Sequence, residues 1–324
     1  MYSGVPRGSE YINRLLEFTK REYGLIPTNI APAKRGYFGE TWRLNTATGQ
    51  YFLKLDYSAK HKEIYRRSFT AIDRICSQGI DFISKIVRTS DGKLNSRFDS
   101  AVIGVFEWID GENIQDERTK TAEYDMLAKI YTVPADGLNI PRVIFSTASV
   151  DLFYNQWNRL KNSYGDKTAV KICALFEQNR GKLEHRANRL TLFVGKCAGD
   201  DTNYYITHGD AGGNIIINGN RFYLVDWDDP IIAPPERDAW FGFFYWDWAA
   251  GAFNEALRRN GIAYIIRPER SAYYCYHSFF WYLTEYLDTY FEIGNRGGDM
   301  CEELKKYFTC WIEEEIRCAD NMNL

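Results

Sequence analysis

The sequence predicts an α+β protein of two lobes around a shared cleft: a small β-rich first lobe with one long helix, and a larger, mainly helical second lobe with an embedded hairpin. Three observations predict it. Strand-like apolar runs crowd the first third of the chain. Helical periodicity dominates from Lys120 onward. One β-rich interruption, Tyr204 to Asp228, breaks that texture and carries an Asn218-Gly219 hairpin signal. The 324 residues suffice for two lobes, placed at 1–106 and 113–324 with 107–112 as the connecting hinge.

Taken in order, Ser9 to Tyr23 sets Tyr11, Leu15, Phe18 and Tyr23 near one helical face, with Ser9 as N-cap and Gly24 as the stop. Strands are predicted at 29–34, 40–45 and 51–56, the last after the Thr48-Gly49 turn. Ala59 to Gly79 aligns Ile64, Phe69, Ile72 and Ile75 on one side of a helix that Gly79 caps. Two more strands are predicted at 83–88 and 101–108, the latter an unbroken apolar run that suits burial on both faces. Beyond Asp110-Gly111, helices are predicted at 120–132, 150–163, 167–195, 236–259, 270–292 and 299–318. Within the interruption, 204–207, 215–217 and 221–225 read as strands.

Composition narrows the class. Hydrophobic residues are 45% and charged residues 26%, the balance of a soluble globular protein, and a net charge of −3 gives no nucleic-acid footprint. No apolar run reaches the roughly 18 residues a membrane span needs. The most apolar candidate, Tyr273 to Tyr290, carries His277, Glu285 and Asp288 and reads as a buried amphipathic helix. Seven cysteines, an odd number with no CxxC pair, argue against a disulfide framework or zinc site and for reduced thiols in the cytoplasm. The first 18 residues contain no apolar core of a secretory signal. Nothing in the sequence indicates an oligomeric state. Tyr and Trp crowd the second half, where they pack a core or line a cleft for a ring-shaped ligand.

The chemistry concentrates at His208-Gly209-Asp210, Asn214 and Asp226-Trp227-Asp228. Two adjacent strands would deliver Asp210, Asn214 and Asp226 to one end of a ribbon. Carboxylate and amide oxygens there are Mg²⁺ ligands, and a carboxylate off the metal accepts a proton from an attacking hydroxyl. Kinase phosphoryl transfer divides its labour in this way. Lys54, inside the apolar strand YFLKLD, is placed to meet phosphates, with Glu63 on the next helix as its partner. Gly36 and Gly39, between the first two strands, allow close approach of backbone N–H groups to a triphosphate.

On these residues the chain resembles the aminoglycoside phosphotransferase/choline kinase family, of protein-kinase-like fold. LVDWDDPIIAPPERDAWF, residues 224–241, looks most like the spectinomycin phosphotransferase branch. The resemblance implies Asp210 as the catalytic Asp, Asn214 and Asp226 as Mg²⁺ ligands, and Lys54 at the α/β-phosphates of ATP or GTP. It implies that His208 braces the catalytic loop, that Glu107, Trp108 and Ile109 are the hinge holding a purine, and that Asp238 ties the loop down. Asp228 is left between second metal shell, substrate contact and hairpin exit. Two departures stand out: only three residues separate Asp210 from Asn214, and a LARLH-like family segment reads LAKIY at Leu127–Tyr131.

For the acceptor, Asp247, Trp246, Tyr282 and Glu285 are the candidate contacts, since aromatic faces and acids suit ammonium groups. Three readings follow: a kinase for an aminoglycoside or aminocyclitol hydroxyl; a metabolite kinase for choline, a sugar or an amino-alcohol; and a nucleotide-binding pseudokinase, motivated by the short Asp210–Asn214 loop.

Overall fold

The computed structural model describes residues 7–33, 39–58, 61–163, 165–199, 202–293, 300–310 and 312–322. The first lobe is an antiparallel sheet of β1 (Pro27–Pro32), β2 (Glu40–Thr46), β3 (Gln50–Asp56), β4 (Ser96–Phe98) and β5 (Ala101–Glu107), in the order β1-β2-β3-β5-β4. Helix α1 (Ser9–Tyr23) covers one face, where Leu15 and Phe18 join a core with Leu53, Leu55, Ile103 and Val105. Helix α2 (His61–Ser77) covers the other, with Phe69, Ile72 and Ile75 clustered with Val102 and Phe106. Burial on both faces explains the unbroken apolar run of β5. In β3 the period-two alternation gives Leu53 and Leu55 to the α1 side and sends Lys54 to the opposite side, paired in register with Gly104 of β5.

Residues 83–88, expected as a strand, do not form one. They run beside β5 through Val87 N–H to the Val105 carbonyl, Glu107 N–H to the Lys85 carbonyl and a lone Ile86–Phe106 bridge. Part of that edge belongs to β4, which pairs with 101–103 and which no apolar alternation marks in the sequence.

The second lobe holds α3 (Glu117–Ile130), α4 (Ala148–Lys161), α5 (Lys167–Gln178), α6 (Arg180–Cys197), α7 (Glu236–Tyr245), α8 (Ala249–Arg259), α9 (Pro268–Ile293), α10 (Met300–Thr309) and α11 (Glu313–Asn321). Helix α9 is its axis, packed against α4, α6 and α7, with Phe279, Phe280, Leu283 and Leu287 fully buried. Three expected helices are each two. The 167–195 stretch breaks at Asn179, whose Nδ2 donates back to the Leu175 carbonyl at 2.8 Å in competition with the helix. The 236–259 stretch breaks at Trp246, which is extended at φ −128 and ψ 126, so Trp246 and Trp248 lie at the junction of α7 and α8. The 299–318 stretch breaks before Ile312, which is left-handed at φ 46. Apolar spacing did not reveal these breaks because the halves of each stretch still contribute to the buried core.

The interruption contains β6 (Tyr205–Thr207), β7 (Ile215–Asn218), β8 (Arg221–Leu224) and β9 (Ile231–Ala233). β7 and β8 form a hairpin in which Asn218 pairs with Arg221, so the turn residues are Gly219-Asn220, with Gly219 at φ 59, and not Asn218-Gly219. β9, absent from the sequence reading, pairs with β6. Among the described residues no helix is long and apolar enough to cross a membrane.

Candidate active site

β6 runs into His208-Gly209-Asp210, and β8 runs into Asp226, so both meet at one end of the hairpin. Asn214, just before β7, closes the short loop. Its Nδ2 donates to the Asp210 carbonyl at 2.6 Å and its N–H to the Ala211 carbonyl at 3.1 Å, leaving Oδ1 as the atom that would meet a cation. The loop is held from outside by Asn113, whose Nδ2 donates to the Gly213 carbonyl. Lys120 Nζ lies 3.7 Å from where a Cβ on Gly212 would sit, and pairs with buried Glu123 at 2.9 Å. Asp226 is left-handed at φ 64, an uncommon state for a non-glycine residue that concentrates at functional sites.

Lys54 is the hub of the charges. Its Nζ is 2.7 Å from Asp226 Oδ1 and also bonds Asp228 Oδ1. Burial works against its charge, but Asp228 and Asp226 outweigh burial and hold it protonated. Burial also opposes ionisation of the two acids. Lys54 overcomes this at Asp226, which lies below the ordinary carboxylate range, whereas Asp228 is pushed up. Asp210 opens to the cleft, yet crowding by protein atoms and the charges of Asp226 and Asp228 push it up to about 6, with Arg237 pulling the other way.

Buried groups fix the loop that carries Asp210. His208 Nε2 lies 2.9 Å from the Val225 carbonyl, which only accepts, so Nε2 carries the proton and Nδ1 is free to accept from Asp210 N–H at 3.2 Å. Burial keeps this imidazole below its usual pKa and therefore neutral. The ring sits edge-on to Trp227 at 4.5 Å. Asp238, in the first turn of α7, accepts from Gly209 N–H at 2.5 Å, His208 N–H at 3.1 Å and the Tyr131 hydroxyl at 2.7 Å. Ser68 of α2 donates to the Trp227 carbonyl, tying the first lobe to the Asp226–Asp228 segment.

Other expected nucleotide contacts divide. Glu63 is not beside Lys54. It is half exposed and faces Arg67 at 3.4 Å and Arg66 at 3.6 Å, because those arginines share its helical face while Lys54 has two nearer carboxylates. Gly36 lies outside the described residues. Gly39 enters β2 so close to β3 that a Cβ would stand 2.5 Å from the Leu55 carbonyl oxygen. At the hinge, Glu107 uses its N–H on Lys85 and its carbonyl on Ser84 Oγ, and Trp108 N–H goes to Gln50. Among the described residues, the Trp108 carbonyl and the Ile109 amide have no such partner. A cavity of about 320 Å³ touches 107–110, but it is otherwise lined by Ser84, Lys85, Arg221 and Tyr223. It therefore opens on the edge of β5 away from β3 and apart from Lys54 and Asp210.

The fold has counterparts among known proteins. The family model described as the phosphotransferase enzyme family matches residues 29–274. The chain belongs to the phosphotransferase enzyme family. Among solved structures, the spectinomycin phosphotransferase APH(9)-Ia in complex with ADP and spectinomycin is 19% identical, with TM-score 0.74 over 95% of this chain and 97% of that one. Choline kinase LicA from Streptococcus pneumoniae is 16% identical, with TM-score 0.62 over 96% and 99%. A microcompartment-associated aminopropanol kinase is 12% identical, with TM-score 0.65 over 96% and 97%. No curated protein matches the chain. The two-lobed kinase-like fold and membership of a phosphotransferase family follow.

Of the residues expected at the acceptor, Tyr282 of α9 is partly exposed, and crowding by protein atoms together with the charge of Asp210 raises its hydroxyl pKa. It therefore stands within electrostatic reach of Asp210. Glu285 lies nearly one turn further along α9. Trp246 stacks on Trp248 at 5.7 Å, with Lys120 Nζ 5.6 Å from its ring. Asp247 lies near enough to Cys318 of α11 for its charge to raise that thiol's pKa, a smaller effect there than burial. The sequence reading missed exposed Phe241 and Tyr245, stacked at 5.5 Å beside Trp246, and Arg237, which stands beside Asp238 in the ERD segment. Only proximity to Asp238 in sequence pointed to Arg237.

Proposed function

We propose that this phosphotransferase moves the γ-phosphoryl group of ATP to a hydroxyl of an aminoglycoside- or aminocyclitol-type antibiotic in the presence of Mg²⁺. The observation that carries the reading is the convergence of Asp210, Asn214, Asp226 and Asp228 at one end of a hairpin, under Lys54. ATP is the proposed donor in preference to GTP, since the similar spectinomycin kinase holds ADP. The cytoplasm, where ATP and reduced thiols coexist, is the proposed location, and Cys76, Cys173, Cys197, Cys275, Cys310 and Cys318 are free thiols.

The donor set fits Mg²⁺. Asp226, Asp228 and the amide oxygen of Asn214 are hard oxygen ligands, and this ion takes one or two carboxylates with water and phosphate oxygens. Among the described residues no three His, Cys, Asp or Glu side chains form a metal site alone. When bound, the ion neutralises charge on the β- and γ-phosphates. Asp210 accepts the proton as the acceptor oxygen bonds to the γ-phosphorus and the β–γ bridging bond breaks, releasing ADP. Lys54 moves from the carboxylates toward the phosphates. The Trp108 carbonyl and Ile109 amide hold the purine edge, His208 and Asp238 keep the loop rigid, and the lobes join at 107–112. Tyr282, Trp246 and Glu285 line the acceptor, with Phe241 and Tyr245 beside them.

The aromatic wall also favours a second reading, a kinase for choline or an amino-alcohol, because ring faces hold ammonium groups at about 0.5–2 kcal/mol each. ATP consumption measured over aminoglycosides, spectinomycin, hygromycin, choline and sugars decides between them. Turnover of choline with no turnover of any antibiotic overturns the first reading.

A pH dependence follows from Asp210. A proton acceptor must be ionised, and its raised pKa of about 6 means the competent form is lost as pH falls through that value. The expected kcat/KM for the acceptor, which reports the free enzyme, has an acid limb near 6. A limb near 4, the ordinary carboxylate value, would show that neither burial nor the charges of Asp226 and Asp228 act on Asp210 in the working enzyme.

A further inference from the structure

Position 209 has no side chain, but the space one would fill is not empty. A Cβ built on Gly209 would lie 2.2 Å from the Arg237 guanidinium carbon and 2.2 and 2.4 Å from its two terminal nitrogens. Gly209 is at φ 85, so glycine is required there twice, for its backbone and for its neighbour. The guanidinium is largely buried and spans two segments. Nη1 donates to Thr207 Oγ1 at 3.1 Å, at the end of β6. Nη2 donates to the Asp229 carbonyl at 3.0 Å and to Asp229 Oδ2 at 3.2 Å, just beyond Asp228.

The next residue completes the device. Asp238 holds the N–H groups of His208 and Gly209, while Arg237 grips Thr207 and Asp229. Two consecutive residues of one helical turn therefore clamp the Asp210 loop to the segment that follows Asp226 and Asp228. A planar, five-donor guanidinium can bridge two such segments, which the single ammonium of lysine cannot do in the same geometry.

We propose that Arg237 is a positioning residue for phosphoryl transfer, occupying the side-chain space of Gly209 and locking the Asp210 loop in register with the Asp226–Asp228 segment. This rests on the kinase reading of the site for its effect on rate, but not for its effect on the loop. Misplacement of reacting groups by about 1 Å costs on the order of a hundredfold in rate, so a large kcat effect is expected from a residue that touches no substrate.

The test compares wild type, Arg237→Ala, Arg237→Lys, Gly209→Ala and the double variant Gly209→Ala/Arg237→Ala. Amide hydrogen exchange of the free protein reads the loop without any substrate. Arg237→Ala and Arg237→Lys are expected to speed exchange at 207–214 and 226–230 by about tenfold or more, leaving the α9 core unchanged. With an acceptor that turns over, both should lower kcat by about a hundredfold while the KM for ATP moves by less than about threefold. Gly209→Ala alone should be worse than the double variant, because removing the guanidinium relieves the collision. Full rescue of kcat by lysine, or exchange that rises equally across the second lobe, would overturn the proposal. If wild type turns over no acceptor, the kinase reading fails, whereas loop exchange still decides the role of Arg237.

Discussion

Asp210→Asn is expected to lower kcat by about a thousandfold, with nucleotide affinity changed by less than about threefold. The asparagine keeps the shape of the side chain but cannot accept the hydroxyl proton. The backbone contacts that shape the loop are untouched: the Asp210 N–H still meets His208 Nδ1, and the Asp210 carbonyl still receives Asn214 Nδ2. Stability should not fall. The raised pKa means that folding penalises the ionised form of Asp210 at neutral pH, the penalty fading as pH drops below about 6. A neutral amide removes that penalty, so the Tm at pH 7.5 is expected to stay level or rise. Rapid-quench measurement of a single turnover separates the chemical step from binding. If nucleotide affinity collapses together with kcat, Asp210 belongs to the metal shell and the proton acceptor lies elsewhere.

The outline of this site was legible in the sequence because its parts are short and local. HGD, Asn214 and DWDD fall on either side of one hairpin, and a hairpin brings its ends together whatever the rest of the chain does. Lys54 was legible because a charge inside YFLKLD has to be neutralised. Its partner was not. Asp226 lies 172 residues away from Lys54, while Glu63 stands nine residues on, and nothing in the spacing ranks a distant carboxylate over a near one. The helix breaks at Asn179, Trp246 and Ile312 were hidden for a related reason. Apolar spacing reports which side faces the core and is silent about where the backbone turns. Arg237 was invisible because its meaning depends on an absence, the missing side chain of Gly209, which only the fold sets against it.

The second large effect concerns Lys54. Lys54→Ala is expected to weaken ATP binding by about 10- to 100-fold, whereas Glu63→Ala should change it by less than about twofold. The lysine ammonium is nearly inaccessible to solvent, and its two carboxylate partners are little more than a third exposed. Without nucleotide, Lys54 neutralises Asp226 and Asp228. On the proposed mechanism, the carboxylates would hold the metal ion and the ammonium would meet the phosphates once nucleotide binds, so each charge would exchange one opposite charge for another and none would be left bare. Removing the lysine leaves the triphosphate without its buried cation, and charge-assisted hydrogen bonds of this kind contribute roughly 1.5–3 kcal/mol. Glu63 has no part in that exchange, since its neighbours are Arg66 and Arg67 on an exposed helical face, where ion pairs contribute about 1 kcal/mol or less. Calorimetric titration of both variants with ATP and Mg²⁺ gives the comparison. Equal losses would mean that α2 shifts on nucleotide binding to bring Glu63 onto Lys54.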